Sequence, residues 1–244
     1  MRRVSGRLLL LGVVAFGAAI GCVRLGLWQL DRLAQRRAQN ALLRQRANIP
    51  AVSISQLRDQ DTSVIHWRHA TIRGVADYDA ELVHATRSQR GAPGVFLLTP
   101  VRVLDASWGD TAVLVLRGYI YAPDGRTINR EKAREGDTVS FETLITSFPP
   151  HTDGNVTMPS DTRAVRVLDR DSLARKMHRP LAPFVLLALG DTVPRDIEKP
   201  ARIIPPSLSE GSHQSYAFQW FGFATVAIVG FAAFAYTTRR KNAN

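Results

Sequence analysis

Residues 216–236 read YAFQWFGFATVAIVGFAAFAY and hold no charged side chain over 21 positions. As a helix this stretch rises roughly 30 Å, enough to cross the hydrocarbon of a bilayer. Trp220 lies near one end and Tyr236 at the other, where amphipathic rings suit headgroup polarity. Arg239, Arg240 and Lys241 follow at once, against Lys199 and Arg202 further upstream on the other side. The positive-inside rule therefore puts the C-terminal end in the cytoplasm.

A second apolar run, LLLLGVVAFGAAIGCV from Leu8 to Val23, stands near the other end of the chain and is followed by Arg24 and LGLWQL. Alone it is short of the roughly 20 residues a spanning helix needs. Leu25 to Leu30 make up the length if Arg24 snorkels to the interface and Trp28 sits at headgroup level. Two alternatives to a retained helix are a cleaved signal peptide, given Arg2, Arg3 and Arg7 upstream, and a lipoprotein, given the loose lipobox Ala19-Ile20-Gly21-Cys22. With a retained helix the chain is multi-pass with both termini cytoplasmic. Residues 1–30 form a tail and first transmembrane helix, 31–215 an extracytoplasmic domain, and 216–244 the second transmembrane helix and tail.

The net charge of +11 is not a nucleic-acid signal. Seven of the 32 basic residues flank the two apolar runs, leaving 25 against 21 acidic residues elsewhere. The excess lies where anionic lipid attracts it, so membrane lipid and not nucleic acid is the expected partner. Cys22 is the only cysteine, which excludes an intrachain disulfide and any cysteine-based zinc site.

Between the runs, Leu30, Leu33, Ala34, Ala38, Ala41 and Leu42 keep helical spacing up to Ala47, and Pro50 stops the helix. Strand-like stretches follow at Trp67–Val75, Glu81–Thr86, Gly94–Leu104, Ala112–Ile120, Val139–Phe148 and Phe184–Leu189. Pro100 predicts an edge or a bulge in the third, and the apolar run AVLVLRGYI a buried central strand in the fourth. Asp169–Met177 reads as a short helix, acidic at its start and basic at its end. Asp124-Gly125 and Asp153-Gly154 read as turns. The expected fold class is α+β: two transmembrane helices flanking a β-rich antiparallel barrel- or sandwich-like domain with minor helices.

Catalytic signatures are missing. There is no GxGxxG, no GxxxxGK[ST] and no GxSxG. His66 and His69 would point to opposite faces of a strand, and His84, His151 and His178 lack partners at ligand spacing. His213 differs by position. A helix puts it one turn above Tyr216 and Ala217, with Trp220 and Phe221 another turn below on the same face. An imidazole over such an aromatic wall can ligate haem iron, and an interfacial histidine suited to headgroups is the alternative.

Four segments, in order, carry a resemblance. They are Leu25-Gly26-Leu27-Trp28-Gln29-Leu30-Asp31-Arg32, Gly91-Ala92-Pro93-Gly94 leading to Leu98-Thr99-Pro100, Val113 to Ile120 (VLVLRGYI), and His213 to Phe221 (HQSYAFQWF). Through them the chain resembles the Surfeit locus protein one family, departing from its pattern at Leu116 and Tyr119. Residues 121–212 carry little of the pattern.

The resemblance implies a non-enzymatic assembly factor in the cell (inner) membrane, a chaperone of the respiratory chain serving haem-copper cytochrome c oxidase. Its partners would be the oxidase catalytic subunit and the haem a synthesis machinery, with haem a bound transiently. It implies His213 as the haem ligand and metal-binding residue, Trp28 and Trp220 as further cofactor contacts, and Arg32 as the partner of a haem propionate or of a lipid headgroup. Trp28, Gln29 and Arg32 would sit where the first helix leaves the membrane. A membrane-tethered sensor or ligand-binding domain and an envelope enzyme are the competing readings.

Overall fold

The computed structural model describes residues 6–150, 157–158, 161–193 and 196–241, and it divides into two compact units, Met1–Leu43 with Leu208–Asn244, and Arg44–Ser207. His151 and the Asp153-Gly154 turn lie outside the described residues.

The first unit is a helix pair. Helix α1 runs unbroken through Gly6–Ala47, because no proline interrupts it before Pro50. Its partner, the last helix of the chain, covers His213–Lys241 and ends in the basic turn Arg239, Arg240 and Lys241, which complements the helix dipole. Both are long and apolar enough to cross a membrane.

The buried residues of α1 are Gly12, Ala19, Gly26, Leu33 and Asn40, each seven from the next. On the last helix they are Ala217 and Ala224, again seven apart. A seven-residue repeat keeps one seam on the partner when two helices wrap with a slight left-handed twist. Small residues suit that seam, since helices in lipid associate by close packing and not by escape from water. Phe231 fills the notch left by Gly12, where an added Cβ would stand 2.9 Å from the ring, and Phe16 meets the same ring edge-on at 6.4 Å. Gly17 and Gly21 face open space.

The second unit is built on strands. In chain order these are β1 (Val52–Ser53), β2 (His69–Ala76), β3 (Leu82–Gln89), β4 (Ala92–Val103), β5 (Ala112–Tyr121), β6 (Thr138–Ser147), β7 (Thr157–Met158), β8 (Asp161–Val165) and β9 (Leu181–Ala188). Two helices join them, the single turn α2 (Thr62–Ile65) and α3 (Arg170–Lys176), which makes His213–Lys241 α4. Five strands close a barrel in the order β2-β6-β9-β5-β4, with β4 returning to β2. Strands β3, β8 and β7 extend the sheet beyond β4, and β1 adds to β2. The ladders are antiparallel except β1–β2, β3–β8 and β5–β9.

Strand β5 shows why its sequence is apolar throughout. Val113 and Val115 point into the barrel core with Ile72, Phe141, Phe184 and Trp108, whereas Leu114 and Leu116 pack under Leu173 and Met177 at α3. A strand covered on both faces loses the polar alternation of a half-exposed one. Pro100 sits where β4 changes partner, after its pairing with β3 ends at Leu98 and before its pairing with β2 begins at Val101. Its missing N–H therefore costs no ladder bond there. The strand expected from Trp67 begins only at His69. Trp67 has φ of 64° in the turn after α2 and stacks edge-on to His66.

A bulge in β5 aims a charge inward. Leu97 pairs with Gly118 and Leu98 with Leu116, leaving Arg117 unpaired in the ladder. Its side chain is fully buried, yet every part of the guanidinium is engaged: Nη2 meets Glu81 at 2.6 Å, Nη1 meets Glu135 at 2.7 Å and the Ala133 carbonyl at 2.9 Å, and Nε donates to Thr99 at 2.8 Å. Burial works against its charge, but Glu81 and then Glu135 outweigh it and hold its pKa above the ordinary value. Arg202 closes the far side on Glu135. The next residue, Gly118, lets residues 200–201 lie close, since a Cβ there would collide with the Ala201 carbonyl.

Two expectations follow. Arg117→Met strands the carboxylates of Glu81 and Glu135 and lowers stability by about 3–5 kcal/mol in chemical denaturation of the detergent-solubilised chain. His84, buried in β3 beside Arg87, has its pKa pushed from 6.5 down to about 4 by burial first and by Arg87 second. The unfolded chain binds that proton at higher pH, so the stability held above pH 6.5 falls as pH drops toward 4. In His84→Gln that slope flattens in melting curves taken across the same interval.

Candidate functional site

Close packing along the α1–α4 seam brings two distant segments together. About two turns into α4, the Phe221 ring packs on Gly26, where an added Cβ would find Cζ at 2.8 Å and Cδ1 at 2.9 Å. One helical turn further along α1, Gln29 Oε1 lies 2.8 Å from His213 Nδ1, across 184 residues of sequence. His213 is half-buried in the first turn of α4, and its Nε2 has no hydrogen-bond partner among the described residues.

The chain entering α4 is strapped to α1. Asn40, only 2% exposed, donates from Nδ2 to the Leu208 carbonyl at 2.8 Å and to the Ser209 carbonyl at 3.4 Å. Arg36 Nε donates to the same Ser209 carbonyl at 3.3 Å, and Arg37 pairs with Glu210 at 3.0 Å. The Arg37–Glu210 pair is solvent-exposed and contributes little by itself. Asn40 matters more, because it satisfies two carbonyls from a buried position. Gly211 then turns the chain with φ of 70°, in the left-handed region that favours glycine, and Tyr216 N–H donates to the Ser212 carbonyl to open the helix.

The residues singled out from sequence fall into three groups. His213 joins Gln29. Arg32 folds back along its own helix, with Nη1 donating to Gln35 at 3.0 Å and Cζ lying 5.5 Å from the Trp28 ring centre. Trp220 meets Phe223 edge-on at 5.9 Å. Among the described residues no hydrogen bond or ring contact joins the Trp28–Arg32 pair to His213 or to Trp220. Sequence reasoning gave no part to Asn40 or to the glycine seam, although the repeat at 12, 19, 26, 33 and 40 is a readable signal.

No cluster of three or more His, Cys, Asp or Glu among the described residues could hold a metal by itself. A single imidazole with an unpartnered Nε2 suits an iron whose other donors come from a macrocycle. Trp28 and Tyr216, on the same two helices, are exposed. The chemistry of this one nitrogen donor is compatible with haem iron.

A paired anchor of two membrane-type helices, small-residue packed and carrying one imidazole at its end, combined with a closed five-strand barrel, defines a membrane protein with a β-barrel domain. A family model described as the SURF1 family matches residues 16–225, and the chain belongs to that family. It is 26% identical to a SURF1-like protein of Rickettsia felis over 85% of this chain and 88% of that protein. It is 27% identical to an uncharacterised SURF1-like protein of Mycobacterium tuberculosis, over 87% of this chain and 77% of that protein.

Gly26→Leu is expected to drive the seam apart and to cost about 1–3 kcal/mol by overpacking. Gly17→Leu, facing open space, is expected to be neutral. Unfolding of both variants in mixed micelles, followed by helical circular dichroism, distinguishes the two.

Proposed function

We propose that this protein is a membrane-bound, non-enzymatic assembly factor for haem-copper cytochrome c oxidase, which holds haem a on its way to the catalytic subunit. Membership of the SURF1 family supports the oxidase assembly role. The haem reading is carried by one observation: His213 lies at the end of the helix pair with Nδ1 engaged and Nε2 unpartnered among the described residues.

In this reading His213 Nε2 would be the nitrogen that holds the haem iron. Trp28 and Trp220 would give aromatic surface to the macrocycle, and the Arg32 guanidinium would meet a propionate carboxylate, whose geometry it matches bidentately. When bound, the haem contributes a redox-active iron, and the residues around it only hold and release it. The protein sits in the inner membrane with both termini cytoplasmic and its barrel domain extracytoplasmic. Its partners are the oxidase catalytic subunit, the haem a synthesis machinery and membrane lipid.

Co-expression with haem a biosynthesis, followed by visible spectra of the purified chain, tests this directly. The wild type is expected to carry a haem a spectrum and His213→Ala to lose most of it. A wild-type protein without haem contradicts the holding role and leaves a factor that stabilises an unfinished subunit.

A further inference from the structure

We infer that Gln29 is the positioning residue for His213: its side-chain carbonyl selects the imidazole tautomer that presents Nε2 as an iron donor. The inference rests on the haem-holding reading above and adds to it the group that sets the ligand's geometry and electron density.

The chemistry follows from the 2.8 Å separation between Gln29 Oε1 and His213 Nδ1. A carbonyl oxygen accepts only, so Nδ1 must carry the proton, and the lone pair of the neutral ring is confined to Nε2. Without that acceptor the ring is free to carry its proton on Nε2 and to rotate about its side-chain bonds. A histidine that ligates a metal commonly donates its other N–H to an oxygen, which fixes tautomer and orientation together.

The acceptor is neutral, and that has a consequence. A carboxylate in its place would draw the Nδ1 proton more strongly and make Nε2 a stronger donor to oxidised iron. The amide orients the ring while keeping it a modest donor, which suits a protein that must give its cargo up.

The rest of the unit holds the amide in place. Gly26 lies one turn before Gln29 on α1, and its lack of a side chain lets Phe221 of α4 approach. Asn40 fixes the Leu208 and Ser209 carbonyls ahead of His213. Position 29 is therefore pinned against the first turn of α4 from both sides along α1.

The test uses the full chain in lipid nanodiscs, with two independent readouts. In the haem-free protein, 15N ring shifts of His213 at mildly alkaline pH are expected to show protonated Nδ1 and bare Nε2. Gln29→Leu is expected to move the ring toward the Nε2-protonated form, and Gln29→Glu to restore Nδ1 protonation. In protein co-expressed with haem a synthesis, Gln29→Leu is expected to weaken haem retention about 10–100-fold. Gln29→Glu is expected to keep the haem at a lower midpoint potential.

A wild-type ring protonated on Nε2, or a tautomer unchanged in Gln29→Leu, overturns the inference. So does undiminished haem retention with an unchanged potential in Gln29→Leu, when His213→Ala has lost the haem. Haem kept by His213→Ala overturns instead the ligand reading beneath it, and the tautomer data then stand apart from that failure.

Discussion

Close approach of two lipid-facing helices through Gly12, Ala19 and Gly26 is the condition on which the candidate site depends. In a bilayer apolar side chains gain little by leaving lipid for one another, so pairing needs backbone contact and fitted shapes. The phenylalanine rings of α4 supply those shapes, seated where α1 carries no side chain. The consequence is local and chemical. An amide and an imidazole that lie 184 residues apart in sequence become hydrogen-bonded neighbours. Above them Asn40 converts a loop into a fixed lead-in for α4. Packing along the seam sets Gln29 beside His213 Nδ1 and leaves Nε2 without a hydrogen-bond partner among the described residues.

The barrel solves a different problem with a comparable economy of parts. The β2–β4 pairing closes five strands into a barrel, and the sheet ends instead at the short strands β1 and β7. The bulge at Arg117 then places a cation in the interior, where two carboxylates, a hydroxyl and a carbonyl all face it. A buried ion pair gains little over a well-packed apolar core, but losing one partner is costly. The network therefore specifies how the residues around Glu81, Glu135 and Arg202 meet β5 more than it adds net stability. Gly118 completes the arrangement by letting the 200–201 segment lie flat on the same strand.

Much of this architecture was legible in the amino-acid order. Two uncharged runs, a helix ended by Pro50, an apolar strand at Ala112–Ile120 and an Asp169-started helix all announce themselves through period and composition. Arg117 was not legible as a buried group, because a lone arginine in an apolar strand reads equally as its exposed end. The short strands β7 and β8 have no periodicity of their own to show. Trp67 looked like a strand residue by type, and the turn that follows the Asp61-capped α2 overrode its preference. At the site, His213 stood out by its place before an aromatic stripe. Its hydrogen-bond partner did not, since the seven-residue repeat of α1 marks the seam face but not the register at which α4 meets it.

The most direct measurement of that central geometry is proximity in a bilayer. Single cysteines replacing Gln29 and His213, in a Cys22→Ser background, should be bridged within one chain by a short bifunctional thiol reagent. Cysteines replacing Gln29 and Tyr236 should not. Bridging of both pairs alike, or of neither within a single chain, would contradict the paired-helix account.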